Sequence, residues 1–243
     1  MPAPELHVAP THDAMSAAAA DALTDLLAAV LDAQATAAVA LAGGSTPRQL
    51  YERLGDKALP WDRIHLFWDD ERWVPHDHPK SNVRLVRETL LSRANVPSSN
   101  VHPMPTDGAP EDAARRYAET LHTQFADQDH TFDLALLGLG ADGHTASLFP
   151  ENAPAPDDPD WVRAVTAPAR HDISQRLTCT LPVLNQARHA CFLVSGARKT
   201  SAVQRVLQRN DEGLPATHIQ PQERLLWFLD ADAQPPRSDS SRL

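Results

Sequence analysis

The chain has 243 residues, a formal net charge of −10 and a hydrophobic share of 42%. That is enough apolar chain for one large α/β domain or two small ones, and it argues against disorder of the whole. The acidic balance, with no Lys/Arg block, excludes a general nucleic-acid surface, because such surfaces need clustered cations to displace counterions from phosphates. A small anion remains admissible, but only where local cations and backbone N–H groups outweigh the acidic background. Cys179 and Cys191 lie in apolar runs and are expected to be buried free thiols in a reducing compartment.

The first ten residues are polar and proline-bearing, which does not suit a signal peptide. The Ala-rich run that follows is read as an amphipathic helix over 16–34. Asp21, Asp25 and Asp32 recur along it at helical spacing, which suits a surface helix and not a membrane span. A cytoplasmic protein with no membrane partner is expected. Residues 37–42 (AAVALA) predict a buried strand ending in Gly43–Gly44. Ser45 and Thr46 then sit near the N-cap of a helix that opens with Pro47 and ends near Gly55. Residues 64–68 (IHLFW) predict a second strand, 69–80 a charged loop and 81–93 a helix. Residues 111–126 predict another helix, and 132–137 (FDLALL) a third strand running into Gly138-x-Gly140. Residues 152–160 read as a Pro/Asp-rich loop. Strands over 177–181, 190–194 and 225–229 alternate with helices near 183–187 and over 198–209. Residues 1–232 are expected to form one domain and 233–243 a frayed tail. Alternating strands and helices give the α/β class, with a mostly parallel, helix-covered sheet. In such sheets ligands bind beyond the carboxyl ends of the strands.

Four turns at those ends could carry chemistry. Leu41–Arg48 (LAGGSTPR) combines glycines, which let backbone approach a ligand, with a helix N-terminus and two hydroxyls, a set that suits phosphate or carboxylate. An ordinary strand–turn–helix corner is the competing reading, and no Walker Gly-Lys-Ser/Thr is present. Trp68–Pro75 (WDDERWVP) offers Arg72 as a bidentate cation for phosphate, whereas Asp69 reads as part of a solvated acidic loop. His76 and His78 lack further partners at ligand spacing and read as surface histidines, so no metal site is expected. Leu137–Pro150 (LGLGADGHTASLFP) breaks the dinucleotide fingerprint at Gly143. It places Asp142 two residues before His144, as a general base needs an orienting carboxylate; an incidental turn histidine is the bland alternative. In Val194–Thr200 (VSGARKT), Lys199 falls in a first helical turn, where a cation is unfavourable unless an anion binds; a solvent-facing lysine is the alternative.

Together the series GGSTP, DDERWVP, GLGADGHTASLFP, RLTCTLPVLNQAR and SGARK resembles the 6-phosphogluconolactonases over about residues 16–230. The resemblance implies an open, mostly parallel Rossmann-like sheet with helices on both faces and no nucleotide, metal or other cofactor. It implies hydrolysis of 6-phospho-D-glucono-1,5-lactone to 6-phosphogluconate in the oxidative pentose phosphate pathway. The implied partner is the phosphorylated sugar lactone alone, with the chain a monomer or weak homo-oligomer. It puts catalysis on His144 and Asp142. Substrate binding falls on Gly43, Gly44, Ser45, Thr46, Asp70, Arg72, Lys199 and, less directly, Arg176. One departure stands out. The family approaches its Leu-Thr strand through a compact Pro-x-x-Arg, whereas this chain reads Pro168-Ala-Arg-His-Asp-Ile-Ser-Gln-Arg176, which leaves the register of Arg176 open.

An ester carbonyl needs an activated water, a clamp on the distal phosphate and a proton for the departing ring oxygen. His144 can move the protons while Asp142 fixes its ring. No Gly-x-Ser-x-Gly elbow is present, which disfavours a covalent serine esterase. Two other functions compete. Glucosamine-6-phosphate deaminases resemble the chain in the first and third turns, but they carry a Glu five residues after the His, where this chain has Phe149. A non-catalytic sugar-phosphate sensor would have no need of the Asp142/His144 pair.

Overall fold

The computed structural model describes residues 2–152, 155–208 and 210–236. Six strands form a wholly parallel sheet: β1 (Pro4–Ala9), β2 (Ala37–Leu41), β3 (Ile64–Trp68), β5 (Leu134–Gly138), β8 (His189–Val194) and β9 (Arg224–Asp230). Their order is β1-β9-β8-β5-β2-β3. β2 and β8 are buried at every position, and β5 at all but Gly138. That is why they read as unbroken apolar runs and not as alternating ones.

The helices flanking the sheet are α1 (His12–Ala33), α2 (Arg48–Gly55), α3 (Asn82–Thr89), α4 (Pro110–Phe125), α5 (Leu181–Asn185) and α6 (Thr200–Leu207). Thr11 caps α1 by accepting the Ala14 N–H at 3.2 Å. Met15, Ala19, Leu23, Leu27 and Leu31 form its buried stripe at four-residue spacing. Contrary to the expectation for this run, α1 is long and apolar enough to cross a membrane by length and composition alone. Its apolar stripe instead packs against β9, β1, β2 and α2.

Three strands were not legible in the sequence. β1 is an edge strand paired with β9 from Pro4↔Leu225 to Ala9↔Asp230. β4 (Asp70–Arg72), β7 (Gln175–Cys179) and β6 (Val162–Thr166) form a separate antiparallel sheet. Thus β4 lies in the expected charged loop, β6 follows the Pro/Asp-rich one, and β7 starts two residues before the expected strand. Within 152–160, residues 153 and 154 lie outside the described residues, as does 209 at the end of the expected 198–209 helix. Of the expected tail, 237–243 also lies outside them. Ala233, however, is fully buried and donates its N–H to Asp230. Both cysteines are buried free thiols, as expected.

The strand order reverses between β2 and β5. From β2 the chain steps outward to β3, and from β5 it steps the other way through β8 to β9. The carboxyl ends on either side of that reversal splay into a crevice, the usual ligand site of an open α/β sheet. All four candidate turns emerge there.

Candidate active site

A cleft of about 390 Å³ opens at this reversal. Its wall includes Gly43, Gly44, Ser45 and Thr46 after β2, Asp70 and Arg72 on β4, and His144 after β5. Arg176 on β7 and Lys199 after β8 complete the expected set. Asp142 does not line the cleft and stands behind His144. Its Oδ1 lies 2.5 Å from His144 Nδ1 and accepts the His144 backbone N–H at 3.2 Å.

That pair fits because of Gly140. A Cβ there would fall 2.0 Å from His144 Nδ1 and 2.3 Å from Asp142 Oδ1. Gly140 also donates its N–H to His144 O at 2.7 Å, closing the turn. The imidazole packs against the fully buried Phe149, with ring centroids 4.9 Å apart. His144 Nε2 has no protein partner among the described residues. Burial pushes the Asp142 carboxyl upward, but hydrogen bonds from His144 and Arg170 outweigh it and hold the group well below the usual carboxylate range. Asp142 is therefore an anion that can orient one imidazole tautomer and stabilise its protonated form.

The acidic turn is not the solvated loop expected for Asp69. Asp69, Asp70 and Glu71 are 1%, 5% and 0% exposed. Glu71 accepts from the N–H groups of Arg72, Asn82 and Val83 and from Ser81 Oγ, all within 2.9 Å. It thereby supplies acceptors to the open N-terminus of α3. Asp70 accepts from Ser147 Oγ at 2.6 Å and Asn82 Nδ2 at 2.7 Å, and lies 3.8 Å from Arg176 Nη1. Both of its oxygens are engaged by protein, so Asp70 frames the cleft.

The cations behave differently. Arg72 forms no ion pair with the carboxylates of its own turn; Nη1 donates to Lys80 O at 2.9 Å, and buried Nε has no partner. Among the described residues Lys199 and neighbouring Arg198 also have no carboxylate partner, and both line the cleft. Burial pulls the Lys199 ammonium below its usual range, with Asp142 opposing. Lys199 sits in a short 3-10 turn, Ala197–Lys199, and occupies the N-cap of α6 instead of its first turn. Arg176 is 7% exposed and in register on β7 opposite Arg72, which closes the question of its placement.

Two local expectations change. The N-cap of α2 is Pro47, with no side-chain cap, so Ser45 and Thr46 lie before the helix and their hydroxyls do not close it. Gly43 meets a second need for close approach, because a Cβ there would fall 1.9 Å from Asn82 Oδ1. Sequence reasoning also missed Asp230, which accepts from Ser195 Oγ at 2.5 Å and from the Gly196 N–H at 3.0 Å, fixing the turn that carries Lys199. An acidic residue ending the last strand was its only signal.

His76 Nε2 lies 2.8 Å from Met104 O, and His78 Nδ1 accepts the Lys80 N–H at 3.1 Å. Among the described residues one group of possible cation donors is close-set: Asp142, His144 and His171, with atoms within 4.8 Å of one another. A cation there would have to displace Arg170 from Asp142 and open the Asp142–His144 bond. Those hydrogen bonds compete with a cation for the same carboxylate oxygens and imidazole nitrogen.

The family pattern described as glucosamine-6-phosphate isomerases/6-phosphogluconolactonase matches residues 10–227. The chain belongs to this family. A 6-phosphogluconolactonase from Synechocystis sp. is 47% identical over 201 residues, 80% of this chain and 82% of that protein. One from Nostoc sp. is 40% identical over 94% of this chain and 96% of its own length. The crystal structure of a 6-phosphogluconolactonase from Thermotoga maritima superposes with a TM-score of 0.84 at 32% identity, covering 93% of this chain and 99% of that one.

Proposed function

We propose that the chain is a hydrolase that opens 6-phospho-D-glucono-1,5-lactone to 6-phosphogluconate, the second step of the oxidative pentose phosphate pathway. The observation that carries this reading is the Asp142-held imidazole of His144 in a cleft whose cations Arg72, Arg198 and Lys199 have no carboxylate partner among the described residues. A proton-transfer group and an anion clamp share one crevice. The related lactonases, among them one at 47% identity, support this substrate.

In this mechanism His144 takes a proton from water as it attacks the lactone carbonyl and returns one to the ring oxygen that leaves. Asp142 stabilises the imidazolium between those steps. Arg72, Lys199 and the Gly43–Thr46 backbone hold the phosphate, and that binding orients the carbonyl. Phe149 counts against amine chemistry, because a buried phenyl ring packed on His144 cannot relay a proton. Purified protein should hydrolyse the lactone above its spontaneous background and release no ammonia from glucosamine-6-phosphate. Ammonia release at a rate comparable to lactone loss would sink the assignment. Binding of 6-phosphogluconate without turnover would favour the sensor reading. The two buried thiols accord with a cytoplasmic, reducing setting.

Removing the clamp should discriminate between substrates. A hydrogen bond to a charged group is worth about 1.5–3 kcal/mol, so Arg72→Ala should lower kcat/KM by roughly ten- to a hundred-fold on the phosphorylated lactone. The loss on plain gluconolactone should be smaller, and the same contrast is expected for Lys199→Ala. Inorganic phosphate should inhibit the parent more strongly than Arg72→Ala. Equal proportional losses on both lactones would mean that these residues hold their turns and not the phosphate.

Water activation is assigned to His144, so turnover should survive exhaustive chelation unchanged. Loss of activity on chelation, restored by added Zn²⁺, would overturn the metal-free mechanism.

A further inference from the structure

The segment between Pro168 and Arg176, where this sequence departs from the family pattern, is anchored at several points. Ala167 N–H donates to Ser174 O at 2.7 Å, His171 N–H to Pro168 O at 2.9 Å, and Arg176 Nε to Ile173 O at 3.1 Å. Asp172 pairs with Lys80, both lining a pocket that adjoins the cleft. Arg170 is held inside this loop. Its Nε donates to Asp142 Oδ2 at 3.1 Å, Nη2 makes a closer bond to the same oxygen, and Nη1 donates to Glu151 Oε1 at 2.6 Å. The Asp142 carboxylate is thus divided, with Oδ1 on the imidazole of His144 and Oδ2 on the guanidinium.

We propose that Arg170 is a positioning residue for the lactone chemistry: it fixes the Asp142 carboxylate against His144 and moderates the charge that Asp142 lends to the imidazole. A guanidinium fork is rigid and planar, so two bonds to one oxygen leave the carboxylate little freedom to rotate away. Its cation also offsets part of the Asp142 charge felt at the imidazole.

Several other groups face this site. The ring of His171 stands edge-on to His144 with centroids 5.3 Å apart. Arg72, Arg176, Arg198 and Lys199 face the cleft from β4, β7 and the turn after β8, Asp69 from the link between β3 and β4, and Asp70 from the start of β4. Arg170 differs from the cleft cations in being paired at both ends, with Asp142 and Glu151, and it does not line the cleft. It lines the adjoining pocket that shares Gly44, Ser45, Arg72 and Arg176 with the cleft, and its two carboxylate partners leave it less free than Arg72 or Lys199 to meet a phosphate.

The proposal rests on the lactonase reading, and its test has a readout independent of turnover. The His144 ring can be titrated by NMR in the parent, Arg170→Met and Arg170→Lys, with His144→Gln assigning the signal, at low salt because Arg170 is partly exposed. Loss of the cation should raise the His144 midpoint by roughly half a unit to one unit in Arg170→Met, while Arg170→Lys stays near the parent. On the lactone, Arg170→Met should lower kcat near neutral pH by about three- to ten-fold and shift the acid limb of the profile upward, with KM unchanged. An unmoved His144 midpoint in Arg170→Met would overturn the proposal whatever happens to kcat, because it would leave a structural role only. A rise in KM for the phosphorylated lactone at constant kcat would overturn it in favour of a phosphate contact. Failure of the parent to turn over lactone would count against the lactonase reading and leave the titration to decide the role of Arg170.

Discussion

Replacing His144 with alanine should lower kcat on the phosphorylated lactone by about a hundred- to ten-thousand-fold, the usual worth of a general acid–base group. The fold should survive for two reasons. The side chain is 22% exposed and belongs to a turn, so its removal opens no large core cavity. Asp142 would also keep its hydrogen bonds from Arg170 after the imidazole is gone, so no buried charge is left without a partner. KM should change little, since the expected clamp lies on Arg72 and Lys199 and not on the imidazole. Steady-state kinetics at saturating lactone, alongside thermal unfolding of the same preparation, checks both halves of the expectation. Near-parental kcat in a folded, saturated His144→Ala protein would remove His144 from the mechanism.

How far the site could be read in advance depended on whether each feature was local. The turns after β2, β3, β5 and β8 were legible because glycine, hydroxyl and charged residues follow apolar runs directly, and a parallel sheet brings such turns to one end. The Asp142–His144 pair was legible for the same reason, its members being two residues apart. Features made by distant partners were not. Nothing near Asp70 and Glu71 in the sequence shows that Ser81, Asn82, Val83 and Ser147 will supply donors to bury them. Arg170 reaches Asp142 across 28 positions of sequence, through a loop whose spacing resembles no familiar motif. The edge strand β1 was missed because its mostly exposed residues lack the continuous apolar run that marked the central strands. A helix-dipole argument singles out Lys199, yet the residue stands just before α6. What marks it is a half-buried ammonium with no carboxylate partner among the described residues.

Adding one methyl group at Gly140 should disable the enzyme almost as thoroughly as removing the imidazole. The glycine sits on the turn that carries both members of the pair. An ideal Cβ would lie 2.0 Å from His144 Nδ1 and 2.3 Å from Asp142 Oδ1, well inside van der Waals contact. The atoms in its way are the ends of two side chains and not backbone, so the chain can fold by pushing them aside. Pushing them aside separates the 2.5 Å pair and swings the imidazole off the line it holds toward the cleft. Misplacement of a catalytic group by about 1 Å commonly costs on the order of a hundred-fold, and Gly140→Ala should lose at least that in kcat. The opposite substitution pattern provides the control. Gly138 stands two residues earlier at the end of β5 and lines the cleft, but a Cβ there would meet no protein atom within 4 Å, so Gly138→Ala leaves the Asp142–His144 pair in place and should keep most of its kcat at saturating lactone. Unfolding temperatures of the two variants should differ far less than their kcat values. Equal kcat in Gly140→Ala and Gly138→Ala would mean that the contact between His144 and Asp142 is not what the reaction depends on.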